Sequence, residues 1–304
     1  MAERTSEYQK YLDPKTLVKI GRLDLIARLV VEGYISGRHK SPYHGFSVEF
    51  ADHREYVPGD DIKRLDWRTF AKTDRYYIKE YEEETNLRST ILLDTSESMK
   101  YASGEVSKLA YGCFVAASLA YMLIQQQDSV GLALFDNAVH RFIPPRTTPA
   151  HLKLLLHEMN QIVPRAKTSM ELIFHDVAER IRKRGLVLVI SDLFDDPETI
   201  LMGLRHFRHN RHEVIVFHIL DDYELKFPFD DTTMFDGLEE YGEVLTEPRS
   251  LRDTYLEQVD DFVKTMKRGC RQHEMDYVQL STASPLDVAL SAYLASRTKR
   301  GKGA

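Results

Sequence analysis

Two short apolar runs in this chain end in an aspartate: residues 89–94 (STILLD) and 185–192 (GLVLVISD). Runs this short, without polar alternation, are the pattern of strands buried on both faces, and such strands belong to parallel sheets covered by helices. Two further strands of the same kind are expected at 129–135 (SVGLALF) and 213–220 (EVIVFHIL), with shorter ones at 139–143 and 275–280. Helical patterns separate them, at 105–127, 148–160, 169–184, 197–209, 249–273 and 285–297, and a hairpin-like stretch lies near 232–247. Strands alternating with helices over two hundred residues predict an α/β fold with a doubly wound, mostly parallel sheet. In that architecture a ligand sits beyond the carboxyl ends of the strands, where strand order reverses. Asp94 and Asp192 are therefore placed at the expected site before any motif is considered.

The residues ahead of this region differ in character. Residues 14–35 carry apolar positions near a 3.6-residue period and predict one amphipathic helix, with Asp13 as its cap and Pro14 at its first position. Between Asp52 and Glu84, 10 acids and 7 bases interleave with six aromatic residues around the turn Val57-Pro58-Gly59-Asp60-Asp61. Three parts are expected: a helical segment over 1–36, a strand-rich region over 37–88, and the α/β domain over 89–300 with its hairpin insertion.

Composition narrows the function classes. A net charge of −6 over 304 residues leaves no basic footprint for duplex nucleic acid. The two cysteines, Cys113 and Cys270, are far apart and encode neither a disulfide framework nor a zinc site. The charged N-terminus has no apolar leader, and residues 109–127, though uncharged, are short for a span and read as a buried core helix. These features lead to the expectation of a cytoplasmic protein without membrane insertion.

The chemistry concentrates in Asp94-Thr95-Ser96-Glu97-Ser98, a D-x-S-x-S pattern leaving a buried strand. One carboxylate and two hydroxyls on a tight loop are hard oxygen ligands, suited to Mg²⁺ or Mn²⁺ rather than Zn²⁺. Thr168 and Asp192, from two other loops, are the candidates to complete the set. The competing explanation is that Asp94, Ser96 and Ser98 only cap the next helix. The constellation resembles the metal-ion-dependent adhesion site of von Willebrand factor A domains. That resemblance implies metal ligation by Asp94, Ser96, Ser98, Thr168 and Asp192, with an open position for a partner's Glu or Asp. Arg165-Ala166-Lys167 stand before Thr168 where that family often has glycines.

A second, longer resemblance covers about 40–300. His44-Gly45, Ser47, Phe50, Arg54, Tyr56, Pro58-Gly59-Asp60-Asp61, Asp66-Trp67-Arg68, Ala71-Lys72, Tyr77, Lys79 and Glu84 are similar to the signature of the bacterial domain-of-unknown-function 58 family. The resemblance implies a non-enzymatic adaptor to a MoxR-type AAA+ ATPase, acting on a client that offers an acidic residue. The charged members of this signature are expected either to form an ion-pair network anchored by a buried Trp67 or to present a docking surface. The alternatives are a hydrolase using a metal with Asp94 and Asp192 to activate water, and single-strand nucleic-acid binding through 63–81, which the interspersed acids oppose. A phosphatase of the aspartyl-phosphate type would want an Asp at position 96, and none of the common nucleotide, zinc-protease or serine-hydrolase motifs occurs.

Overall fold

A computed structural model describes residues 13–37, 53–55, 70, 75–79, 87–164, 170–235, 242 and 244–300. Compact packing divides the chain into two units, one of 1–40 with 87–304 and one of 41–86. In the second, strands β1 (His53–Glu55) and β2 (Tyr77–Lys79) pair antiparallel, with Arg54 opposite Ile78 and His53 opposite Lys79. Tyr56, Pro58, Gly59, Asp60, Asp61, Asp66, Trp67 and Arg68 lie outside the described residues, as does Thr168 in the first unit.

The first unit is built on a six-stranded sheet in the order β10-β7-β6-β3-β4-β5. Its strands are β3 (Arg88–Asp94), β4 (Ser129–Phe135), β5 (Val139–Arg146), β6 (Leu186–Ser191), β7 (Glu213–Leu220) and β10 (Asp276–Ser281). All neighbours run parallel except β5, which returns antiparallel beside β4 through a tight turn. The chain leaves β3 toward β4 and later re-enters on its other side at β6, so strand order reverses at β3. Continuous apolar runs become central strands because both faces are covered, and β6 is buried along its whole length.

Two apolar layers cover the sheet. On one face lie α2 (Leu23–Gly37), α3 (Lys108–Gln125), α4 (Pro149–Asn160) and α9 (Asp287–Arg300). On the other lie α5 (Met170–Arg180), α6 (Pro197–His209) and α8 (Pro248–Gln272). Serine, threonine or aspartate side chains cap the starts of α3, α4 and α6 at Ser107, Thr148 and Asp196, the latter two with proline in the first turn. Helix α3 has the length and apolarity to cross a membrane (mean hydropathy 1.3), yet 72% of it is buried inside this unit. It is apolar all round because sheet and helices surround it.

Residues 14–35 do not form the single helix their periodicity suggests. A short α1 (Pro14–Val18), capped by Asp13, is separated from α2 by a turn in which Gly21 takes φ +66. That left-handed conformation suits glycine and ends the first helix. After β7, the chain makes a one-turn helix, α7 (Asp222–Lys226), and the hairpin β8 (Thr233–Phe235) and β9 (Val244–Thr246). Phe227, Phe229, Phe235 and Tyr255 stack together and tie this excursion to α8.

Candidate metal and docking site at the strand-order reversal

Four parallel strands deliver a buried aspartate at their carboxyl ends: Asp94 after β3, Asp136 after β4, Asp192 after β6 and Asp221 after β7, each under 5% exposed. Two of them have structural duties. Asp221 forms a reciprocal capping box with Glu224 at the start of α7 and accepts from Thr282 Oγ1 at 3.0 Å. Asp136 holds the β4–β5 turn by accepting from the Asn137 backbone N–H and bonding the His140 ring.

Asp94 and Asp192 are arranged differently. Asp94 Oδ1 accepts from the Ser96 N–H at 2.9 Å, and Oδ2 accepts from the Ser191 hydroxyl at 2.5 Å. Ser191 itself accepts from the Leu193 N–H at 2.9 Å, so it ties the Asp94 carboxylate to the loop that carries Asp192. Burial, and then the nearby Asp192 charge, push the Asp94 pKa up to about 7. The cost of ionising it is the cost of two carboxylates sharing a dry crevice.

Ser96 occupies the cap position of the short 3₁₀ turn Glu97–Lys100, yet its hydroxyl makes no cap hydrogen bond. It points instead to the Ser98 hydroxyl, 3.0 Å away. Capping therefore does not account for this serine. Two oxygens about 3.0 Å apart match one edge of an octahedron whose metal–oxygen bonds are about 2.1 Å, the Mg²⁺ value. Among the described residues no three His, Cys, Asp or Glu side chains converge on a metal position. A set built on hydroxyls with one or two carboxylates is the form that remains, and the donors present fit a hard divalent ion.

One buried cation at this site was not among the residues expected from the sequence. Lys108, at the first turn of α3, is 2% exposed and donates to Asp192 Oδ2 at 2.8 Å and to Glu224 Oε1 at 2.7 Å. Burial alone would strip its proton, but Asp192 and Glu224 outweigh it and hold the ammonium charged beyond the ordinary lysine range. The available signal was the position itself: Lys108 is the charge that opens an otherwise uncharged nineteen-residue stretch. Beneath the loop, buried His218 bonds the Asp192 carbonyl through Nε2 at 2.9 Å and the Tyr277 hydroxyl through Nδ1 at 2.5 Å. Burial lowers its pKa to about 4, so it is neutral; Nε2–H donates to the carbonyl and Nδ1 accepts from the phenol.

Of the expected ligands, Asp94, Ser96, Ser98 and Asp192 come from the ends of adjacent strands β3 and β6. Arg205-His206, Arg208-His209 and Arg211-His212 recur every three residues at and just beyond the end of α6, where Arg208 donates to the backbone carbonyls of His273 and His212.

Comparison with known proteins bears on this arrangement. An uncharacterized protein of Mycobacterium bovis is 25% identical over 219 residues, 71% of this chain and 68% of its own length. Among solved structures, the conserved hypothetical protein BatB from Bacteroides thetaiotaomicron is similar, with a TM-score of 0.48 and 14% identity over 70% of this chain and 99% of that one. An aerotolerance-related membrane protein from Bacteroides fragilis has a TM-score of 0.45 and 14% identity, covering 69% and 97%. The Rpn10 von Willebrand factor A domain has a TM-score of 0.39 and 12% identity, covering 68% and 94%. The fold is α/β, a mostly parallel central sheet covered by helices. The cytoplasmic expectation does not stand, because neighbours of this fold are described as membrane proteins. A charged N-terminal segment does not by itself assign a compartment. Residues 52–264 match the family described as protein of unknown function DUF58, and the chain belongs to that family.

Proposed function

We propose that this chain is a non-enzymatic protein-interaction module whose docking depends on Mg²⁺ or Mn²⁺, and that it serves as an adaptor between a MoxR-type AAA+ ATPase and a client protein. A fold similar to that of von Willebrand factor A domains suggests a protein-interaction module. The observation that carries the metal reading is the Ser96–Ser98 hydroxyl pair, 3.0 Å apart and free of capping duty, beside the buried Asp94. Asp94, Ser96, Ser98 and Asp192 would hold the ion, with Thr168 as the further candidate, and the ion would supply an electrophilic position for a partner's carboxylate. Asp192 already shares one oxygen with Lys108, so the site has limited negative charge to offer. Weak ion binding, completed by the partner's own Glu or Asp, fits that charge balance.

A hydrolytic role is not favoured. It would need a base beside Asp94, and the nearby candidates are engaged: Asp192 and Glu224 by Lys108, and His218 by two hydrogen bonds.

The test is co-purification of a co-encoded MoxR-type ATPase with and without EDTA, repeated with Ser96→Ala and Asp192→Ala. Association should fall on chelation and in both variants, by about 2–5 kcal/mol if a buried partner carboxylate loses its counter-charge. Association untouched by chelation and by both substitutions would move the docking point away from this site.

A further inference from the structure

Beside the strand-end site lies a cleft of about 610 Å³, bounded by the loop after β6, the end of β7, helix α7 and one face of α8. Its volume is in the range of clefts that take several side chains rather than one. Five carboxylates line it, those of Asp192, Asp195, Asp196, Glu224 and Asp261, and among the described lining residues there is no lysine or arginine. Lys108 offsets only one of those charges, since its single ammonium is shared between Asp192 and Glu224. Asp195 and Asp196 spend part of their oxygens on backbone N–H groups, of Met170 and Asp196 for the first and of Thr199 for the second. Among the described residues neither pairs with a cationic side chain.

The same walls are apolar between the acids. Phe194 stands 57% exposed at the mouth, on the loop next to Asp195. Val259 and Phe262 of α8 form part of the wall and remain partly accessible. Acidic groups set among aliphatic and aromatic surface complement a side chain with a long apolar stem and a cationic head. Arginine fits better than lysine, because its planar guanidinium pairs with carboxylates in bidentate fashion and stacks on aromatic faces.

We infer that this cleft is a docking groove for a basic-apolar segment of a partner protein, anchored by an arginine. This goes beyond the metal-dependent contact proposed above and stands without it: one site takes a partner's acid through an ion, whereas the cleft takes a partner's base directly. A partner engaging both would present an acidic and a basic residue on one surface, and the pairing of opposite charges would set its orientation.

The probe is a fluorescein-labelled heptapeptide alternating leucine and arginine, titrated by fluorescence anisotropy in EDTA so that no divalent ion takes part. The control probe carries glutamate in place of arginine. The arginine peptide should bind at least about ten-fold more tightly than the glutamate peptide. Asp261→Lys, which reverses a charge, and Val259→Trp, which fills the space without changing charge, should each weaken it at least about five-fold, with circular dichroism unchanged. Asp253→Lys, on an exposed position of α8 outside the cleft, should leave binding unaltered. Absence of saturable binding below about 1 mM, equal binding of the two peptides, or equal losses in Asp253→Lys and Asp261→Lys would overturn the inference. So would full binding by Val259→Trp. A chelation-insensitive ATPase pull-down would count against the metal reading and leave this one standing.

Discussion

Replacing Lys108 by methionine tests how the strand-end site holds its charges. The ammonium makes two contacts, at 2.8 Å to Asp192 and 2.7 Å to Glu224, and its side chain is 3% exposed. At an effective dielectric near 20, a pair at such a distance carries a gross attraction of ~6 kcal/mol. Desolvation offsets much of that, so the pair contributes far less in net terms. Methionine keeps most of the stem's volume but leaves Asp192 buried and unpaired, with Asp94 close by. Breaking a buried pair on one side costs about 3–5 kcal/mol, chiefly through the charge left behind. Urea denaturation in EDTA, followed by circular dichroism, should show a loss of that size for Lys108→Met. Adding Asp192→Asn to the same chain should recover about 2 kcal/mol or more, because the orphaned charge is gone. Mn²⁺ should then stabilise Lys108→Met more than it stabilises the wild type, since one negative charge has been released to the ion. A loss under about 1 kcal/mol, or no recovery from Asp192→Asn, would refute the view that Lys108 is a required counter-charge rather than a bystander.

Three further outcomes follow from named contacts. Asp94→Ala should abolish Mn²⁺-dependent thermal stabilisation while leaving the fold intact, and equal Mn²⁺ binding by both proteins in calorimetry would remove the metal assignment. His218 has a folded pKa of about 4 against an ordinary 6.5; below 6.5 the unfolded chain binds the extra proton, so stability falls as pH drops from 6.5 to 4, by about 3 kcal/mol at most. Denaturant midpoints of the wild type and His218→Gln, taken at steps across that window, should converge toward the acid side; parallel curves would sink the assignment of a neutral buried histidine. Gly131→Ala should destabilise by about 1–3 kcal/mol, because a Cβ there meets the Ile143 carbonyl oxygen at 2.6 Å where β5 bulges against β4; a melting temperature unchanged from the wild type would contradict this.

Much of the α/β unit was legible because its signals are local. Apolar runs of six to eight residues marked β3, β4, β6 and β7 nearly to the residue, since a strand buried on both faces has no other pattern. The starts expected for α4 and α6, at 148 and 197, lie within a residue of those observed. The break in the N-terminal helix escaped the periodicity, because apolar spacing on either side of Gly21 stays compatible with one helix while a single left-handed residue ends it. The one-turn α7 escaped too: its capping box is local, but five residues are too few to show a period.

The D-x-S-x-S pattern at a strand end was readable as chemistry, because residue types and spacing alone put a carboxylate and two hydroxyls on one loop. What those groups do to one another was not readable. Lys108 and Asp192 are 84 positions apart, and Lys108 and Glu224 are 116 apart. No local rule connects them; they meet because α3 crosses the sheet and begins above the carboxyl ends of its strands. The same holds for Ser191 reaching Asp94 from 97 positions away, and for the acidic cleft, whose walls come from four separate elements. A sequence states which side chains are available and which backbone they favour. Burial and electrostatics depend on distances through space, and only packing of the sheet and its two helical layers sets those.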